Sequence, residues 1–309
     1  MEIYLPIAEM PINVLMIVGM GAAVGFISGL FGIGGGFLLT PLLIFSGVPT
    51  SVAVATVTPQ MIASSASGAL TYWRRRSIDL RLSGLLLVSG IAGASAGTWC
   101  FALLSRAGRL DVVISVSYMA LLGTVGGLML FESLRSLLRA RREGGLPVHR
   151  RSHNWIHRMP LKMRFRTSRL YVSVIPVIGI GAGIGFIGAL LGVGGGFILV
   201  PALIYLLRVP TSIVIGTSLV QTLGTMIIAT LLHSVTSVSV DGLLALLMMV
   251  GGVIGAQFGA QMGLRMRGEH LRALLGLLVL AVALRFGYEL IVHPVDLYQL
   301  SVLEWGARM

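Results

Sequence analysis

Long apolar runs follow one another along this chain with only short polar breaks. They cover Ile12–Leu30, Val52–Tyr72, Leu82–Leu104, Val112–Phe131, Tyr171–Leu191, Ile213–Leu232, Leu243–Met262 and Leu271–Val292. Each approaches the ~20 residues a helix needs to cross the hydrocarbon of a bilayer. None alternates with the period of two that marks a barrel strand, so helices are the expected spanning form. Two shorter apolar segments, Phe37–Phe45 and Phe197–Leu206, each carry a proline. Each either continues the preceding helix or folds back as a separate short one. The pattern predicts an all-α, polytopic integral membrane protein.

Composition agrees. Hydrophobic residues make up 56% and charged residues 11%, at a mean hydropathy of +0.93; soluble domains carry roughly a quarter charged residues. The opening MEIYLPIAEMPIN holds Glu2 and Glu9 and no basic residue, unlike the start of a signal peptide. Cys100 is the sole cysteine, which leaves no intrachain disulfide and no redox pair. The net charge of +12 is concentrated: eleven of the 23 basic residues lie between Arg135 and Arg169. That clustering is the mark of a cytoplasmic loop near anionic lipid rather than of a nucleic-acid surface.

The chain repeats itself. Gly25–Ile44 aligns without a gap on Gly185–Ile204, with 13 identities in 20. After one inserted residue, Pro49-Thr50-Ser51 falls on Pro210-Thr211-Ser212, Thr56 on Thr217 and Gln60 on Gln221. Asp79 then falls on Asp241, and Gly93 and Gly97 fall on Gly255 and Gly259. Three regions follow: a first membrane repeat over 1–132, a basic linker over 133–170 and a second repeat over 171–309. Internal repeats in a membrane protein point to a transporter with its site where the halves meet.

Charge bias selects the relative orientation of the halves. With the linker cytoplasmic and five segments per half, Arg74, Arg75, Arg76 and Arg81 fall inside, as do Arg265, Arg267 and Arg272. The basic-free loop around HSVTSVSVD and the acidic N-terminus fall outside. Four segments per half would reverse the later loops, against the positive-inside rule. The short loop with Arg106 and Arg109 is the one weak exception. The expectation is two inverted repeats of about five segments, with both termini periplasmic.

The stretch GLFGIGGGFLLTP, Gly29–Pro41, returns as ALLGVGGGFILVP, Ala189–Pro201. Neither copy has the lysine of a Walker loop, nor the third glycine and acidic partner of a dinucleotide turn. In a bilayer, three consecutive glycines break a helix, and the next residues start another whose free amides favour anions. Breaks at that depth need a protein-lined or watery cavity. Candidate substrate-binding residues are therefore Gly34, Gly35, Gly36, Phe37, Thr56 and Gln60, with Gly194, Gly195, Gly196, Phe197, Thr217 and Gln221 in the second half. Buried amides are costly unless bonded, and hydroxyls at Thr58, Ser64, Ser65, Ser218, Thr222 and Thr225 surround the two glutamines along the chain. The alternative for the glycine blocks is tight helix packing, and for the two glutamines it is interhelical bonding that only holds the bundle together.

Other polar residues read more simply. Gly21, Gly25 and Gly29, like Gly181, Gly185 and Ala189, form small-residue stripes for close helix packing. Asp79 and Asp241 are expected helix caps. Arg285 and Glu289 are spaced for a helix-face ion pair, and Gln257 and Gln261 have no amide counterparts. His149, His153 and His157 share a spacing of four but lack carboxylate or thiolate support for a metal. No triad, dyad or clustered metal ligands occur within the runs, so neither an enzyme nor a cofactor is expected.

The duplicated G-[IV]-G-G-G-F-[IL]-L-x-P block, each copy followed by V-P-T-S and a segment with Gln60 or Gln221, resembles the TauE/SafE family of membrane permeases. The resemblance covers roughly 12–132 and 171–292. It implies a secondary transporter moving sulfite or an organosulfonate such as sulfoacetate across a bacterial inner membrane, by export. An anion channel of the same fold, an uptake permease and a non-transporting scaffold are the alternatives. A coupling ion, proton or sodium, and a homo-oligomer are compatible with the sequence, which selects neither.

Overall fold

The computed structural model describes residues 2–31, 34–74, 78–142, 162–165, 170–207, 209, 211–263 and 268–292. Side chains of 132–142, of Glu289 and of several loop-flanking residues lie outside that description, as do His149, His153, His157, Arg75, Arg76, Arg265, Arg267 and most of the linker. Among the described residues ten helices carry the fold: α1 (Val14–Phe31), α2 (Gly36–Phe45), α3 (Thr50–Arg74), α4 (Leu80–Arg106), α5 (Leu110–Arg142), α6 (Val174–Leu191), α7 (Gly196–Tyr205), α8 (Thr211–Thr236), α9 (Gly242–Gly263) and α10 (Gly268–Val292). Among the described residues five helices, α4, α5, α6, α8 and α9, contain stretches long and apolar enough to cross a membrane.

Helix α3 differs from the expectation for Val52–Tyr72. It has the length, but its run of Thr, Ser, Ala and Gln keeps it out of that apolar set. The reason is its position: residues from Val52 to Met61 are buried without a break, so protein rather than lipid surrounds them. Polar side chains are tolerated at membrane depth where other helices cover them.

Two small hairpins also depart from a purely helical fold. Strands β1 (Glu2–Leu5) and β2 (Met10–Asn13) pair antiparallel ahead of α1, and β3 (Lys162–Phe165) and β4 (Leu170–Ser173) pair ahead of α6. Each hairpin ends on the residue that caps the next helix. Asn13 accepts from the Leu15 N–H at 3.0 Å, and Ser173 from the Ile175 N–H at 3.3 Å. Each half therefore reads hairpin, long helix, short helix and three long helices.

The halves interlock by exchanging partners: α1 packs on α9, α4 on α6, α3 on α8 and α5 on α10. Glycines set the closeness of the first two pairs. A Cβ on Gly25 would strike the Gly252 carbonyl, and one on Gly185 would strike the Gly90 carbonyl. Small residues permit this approach where lipid supplies no hydrophobic drive between helices.

Candidate functional site

Both short helices start at buried glycines, Gly36 and Gly196. The break before α7 holds three glycines at positive φ, Gly192 (68°), Gly194 (67°) and Gly195 (44°), and Gly34 before α2 has φ 79°. Side chains rarely adopt these angles, so glycine is needed there. After each break the chain turns back on itself. Gly35 lies beside Val24 and Ser28, and Gly195 beside Ile184. Helix α2 then returns toward the start of α1, where the Ser46 hydroxyl meets Met20 Sδ (4.0 Å) and Gly47 approaches Met10. Ten residues of helix rise about 15 Å, half the thickness of the hydrocarbon.

The two breaks touch. A Cβ on Gly34 would lie 3.8 Å from the Gly194 carbonyl, and one on Gly36 would lie 2.6 Å from the Gly192 carbonyl. Phe37 and Phe197, the second residues of α2 and α7, stack with centroids 4.5 Å apart and planes 11° apart. Neither short helix has a side-chain cap. By contrast, α1, α4, α6 and α9 are capped by Asn13, Asp79, Ser173 and Asp241. The uncapped starts keep the partial positive charge that first-turn amides carry.

Gln60 and Gln221 are fully buried, and neither amide oxygen nor nitrogen has a hydrogen-bond partner among the described residues. Gln221 Oε1 lies 3.4 Å from where a Cβ on Gly195 would sit, which puts this amide at the second break. The Nε2 atoms rest on an aligned pair of glycines, Gln60 on Gly252 and Gln221 on Gly90 (2.5 and 2.7 Å to a built Cβ). Leaving such an amide unpaired costs about 1–3 kcal/mol per buried group. Thr222 donates to the Gly194 carbonyl at 3.4 Å, on the same wall as Gln221.

Other candidates fall elsewhere. Thr56 accepts from the Asp241 N–H at 3.0 Å and Thr217 from the Asp79 N–H at 3.4 Å, so both hydroxyls join one half's α3 or α8 to the other half's capped helix. The Asp241 carboxylate also accepts from Leu243, Leu244 and the hairpin residue Ile7, and that of Asp79 from Arg81 and Leu82, which bears out both as caps. Several surrounding hydroxyls are engaged within their own helices, Ser64 with Met61, Ser218 with Ile215 and Thr225 with Gln221, while Thr58 bonds Ala55 on its own helix and Thr230 across on α8 at 2.8 Å. Ser65 Oγ is buried and unpartnered among the described residues. Gln257 and Gln261 are exposed. Arg285 lies over the Phe45 ring at 5.1 Å, and its expected partner Glu289 falls outside the described side chains.

The end of α6 is held by side chains that sequence reasoning missed. His233 Nε2–H donates to the Ala189 carbonyl (3.1 Å), Tyr118 to Leu191 (2.7 Å) and Thr40 to Gly192 (3.2 Å). Three helices thus satisfy carbonyls that the break exposes. Met61 and the pair Gly90 and Gly252 were missed too, although both glycines keep the register of Gly93 and Gly255. Among the described residues no group of three His, Cys, Asp or Glu comes together to hold a metal.

A buried, uncapped pair of helix starts inside a bundle of spanning helices is an arrangement of membrane transporters. The family description "Sulfite exporter TauE/SafE" matches residues 17–286, and the chain belongs to this family of membrane transporters. A "Probable membrane transporter protein" of Xylella fastidiosa (strain 9a5c) is 29% identical over 276 residues, 88% of this chain and 94% of that protein. "Probable membrane transporter protein YjnA" of Bacillus subtilis (strain 168) is 26% identical over 269 residues, 87% and 98% of the two chains. "Sulfite exporter TauE/SafE family protein 1" of Arabidopsis thaliana is 42% identical over 60 residues, 19% of this chain and 13% of that protein. No solved structure matches significantly.

Proposed function

We propose that this transporter is a secondary exporter of a small sulfur oxyanion, sulfite or an organosulfonate such as sulfoacetate, across the bacterial inner membrane. The carrying observation is the uncapped start of α7 beside the unpartnered, fully buried amide of Gln221. Helix amides and a neutral amide donor suit an anion and offer a cation little. In this reading Gly34–Phe37 and Gly194–Phe197 line the site, and Gln60 and Gln221 contact the ligand directly. Thr56 and Thr217 hold the walls in place.

The repeats are read as inverted. Support comes from Ile7, whose hairpin opens the first half yet bonds Asp241, where α9 of the second half begins. With the basic linker cytoplasmic, both termini are periplasmic, as the positive-inside rule asks. With no nucleotide-binding loop in the sequence, export is either passive or coupled to an ion gradient of protons or sodium.

The test is labelled sulfite flux into inside-out proteoliposomes. Saturable uptake with counterflow is expected. Uptake that never saturates and lacks counterflow makes the protein a channel, and flux no greater than in protein-free vesicles sinks the reading.

A further inference from the structure

Met61 sits between the two helix breaks. It is fully buried on α3, one residue after Gln60. A Cβ on Gly194 would fall on its Sδ and Cε, one on Gly36 would collide with the same thioether, and one on Gly34 would meet Cε at 3.5 Å. Three break glycines from both halves therefore leave room for one side chain. The position that aligns with Met61 is Thr222, which faces the same two glycines: its Cγ2 lies 4.0 and 3.7 Å from a Cβ built on Gly34 and on Gly194. One turn further along, the order reverses, with Ser65 aligned on Met226. The second half's wall thus presents a short threonine, its hydroxyl on the Gly194 carbonyl, and the first half fills the space with a thioether.

We propose that Met61 is the movable plug of this site, and that its withdrawal sets the largest ligand the site admits. The inference rests on the anion-site reading above. Its physical basis is volume: Met61 fills the space between the helix starts, so a ligand there has to displace it. Methionine is suited to that role, with an unbranched side chain, three rotatable bonds and a polarisable sulfur that repacks easily. A branched residue at this position has fewer ways to leave.

The experiment compares flux of sulfite, sulfoacetate and toluenesulfonate through wild type, Met61→Ala and Met61→Leu in proteoliposomes. Met61→Ala is expected to raise the ratio of toluenesulfonate to sulfite flux about tenfold or more, the scale of discrimination a few methylenes give a pocket. Met61→Leu is expected to hold the ratio near wild type and slow all three. A core methionine with no gating role predicts a lower melting temperature and an unchanged ratio, which overturns the proposal. If Met61→Ala does not fold, wild-type protein labelled with ¹³C at the methionine methyls supplies the readout. The Met61 methyl, assigned from Met61→Leu, is expected to shift on sulfite titration, and a stationary signal overturns the plug. Flux without dependence on Met61 removes the plug alone, whereas wild type that carries none of the three anions removes the site itself.

Discussion

Phe37 and Phe197 stack face to face across the junction of the two halves, with centroids 4.5 Å apart. Each is the second residue of its short helix, so the pair fixes the distance between the two helix starts. Aromatic pairs of this kind contribute about 0.5–1.5 kcal/mol beyond their burial. A double-mutant cycle with Phe37→Leu and Phe197→Leu is expected to give a coupling of about 1 kcal/mol in thermal stability. Additive effects would mean the rings merely share a core.

Gln60 and Gln221 give a prediction with opposite signs for stability and function. Replacing either by leucine removes two buried polar atoms that make no hydrogen bond. Melting temperature is expected to rise, by an amount corresponding to about 1–3 kcal/mol, while sulfite flux falls. Detergent thermal melts and flux on the same preparations check both. A drop in stability would show that the amides hold the bundle together.

The glycines at helix crossings separate into two kinds. Gly25 and Gly185 meet backbone, so alanine there is expected to disrupt α1–α9 or α4–α6 packing and lower stability sharply. Gly90 and Gly252 also carry the glutamine amides on their surface, with Nε2 at 2.7 and 2.5 Å from a built Cβ. Alanine at Gly90 displaces two side chains, Gln221 and Thr225 (Nε2 and Cγ2 each 2.7 Å from a built Cβ), which yield more easily than backbone. Gly90→Ala is expected to fold and to lose flux, measured beside Gly185→Ala in the same assay.

Much of this was legible in the sequence because it occurs twice. The glycine blocks, Gln60 and Gln221, and Asp79 and Asp241 all stand at aligned positions; the structure sets the two amides against the aligned glycines Gly252 and Gly90 and makes both aspartates helix caps. The short helices were legible as segments, but proline and length alone left their direction open. What stayed hidden is either asymmetric or long-range. Met61 aligns with Thr222 and His233 with Tyr72, so comparing the halves points to neither. The hairpins lie outside the aligned block, and Pro6 and Pro11 with a four-residue strand give little β signal. Tyr118 and Thr40 act on carbonyls far along the chain, which local pattern does not foretell.

His233 and Tyr118 lead to a stability prediction. Each donates to a carbonyl at the end of α6. Tyr118→Phe leaves the Leu191 carbonyl unpaired and is expected to cost about 1–3 kcal/mol. Hydrogen exchange at amides following the break is expected to speed up in Tyr118→Phe; unchanged exchange would mean that Thr40 and His233 suffice to hold it.

The central claim is that the uncapped start of α7 and the Gln221 amide bind an anion. Equilibrium binding of labelled sulfite to purified wild type and to the Gln60→Leu, Gln221→Leu double variant tests it most directly. Saturable binding to wild type and a loss of at least about tenfold in the variant, the value of one to two charge-assisted hydrogen bonds, is the result predicted. Equal affinity in the two proteins would contradict it.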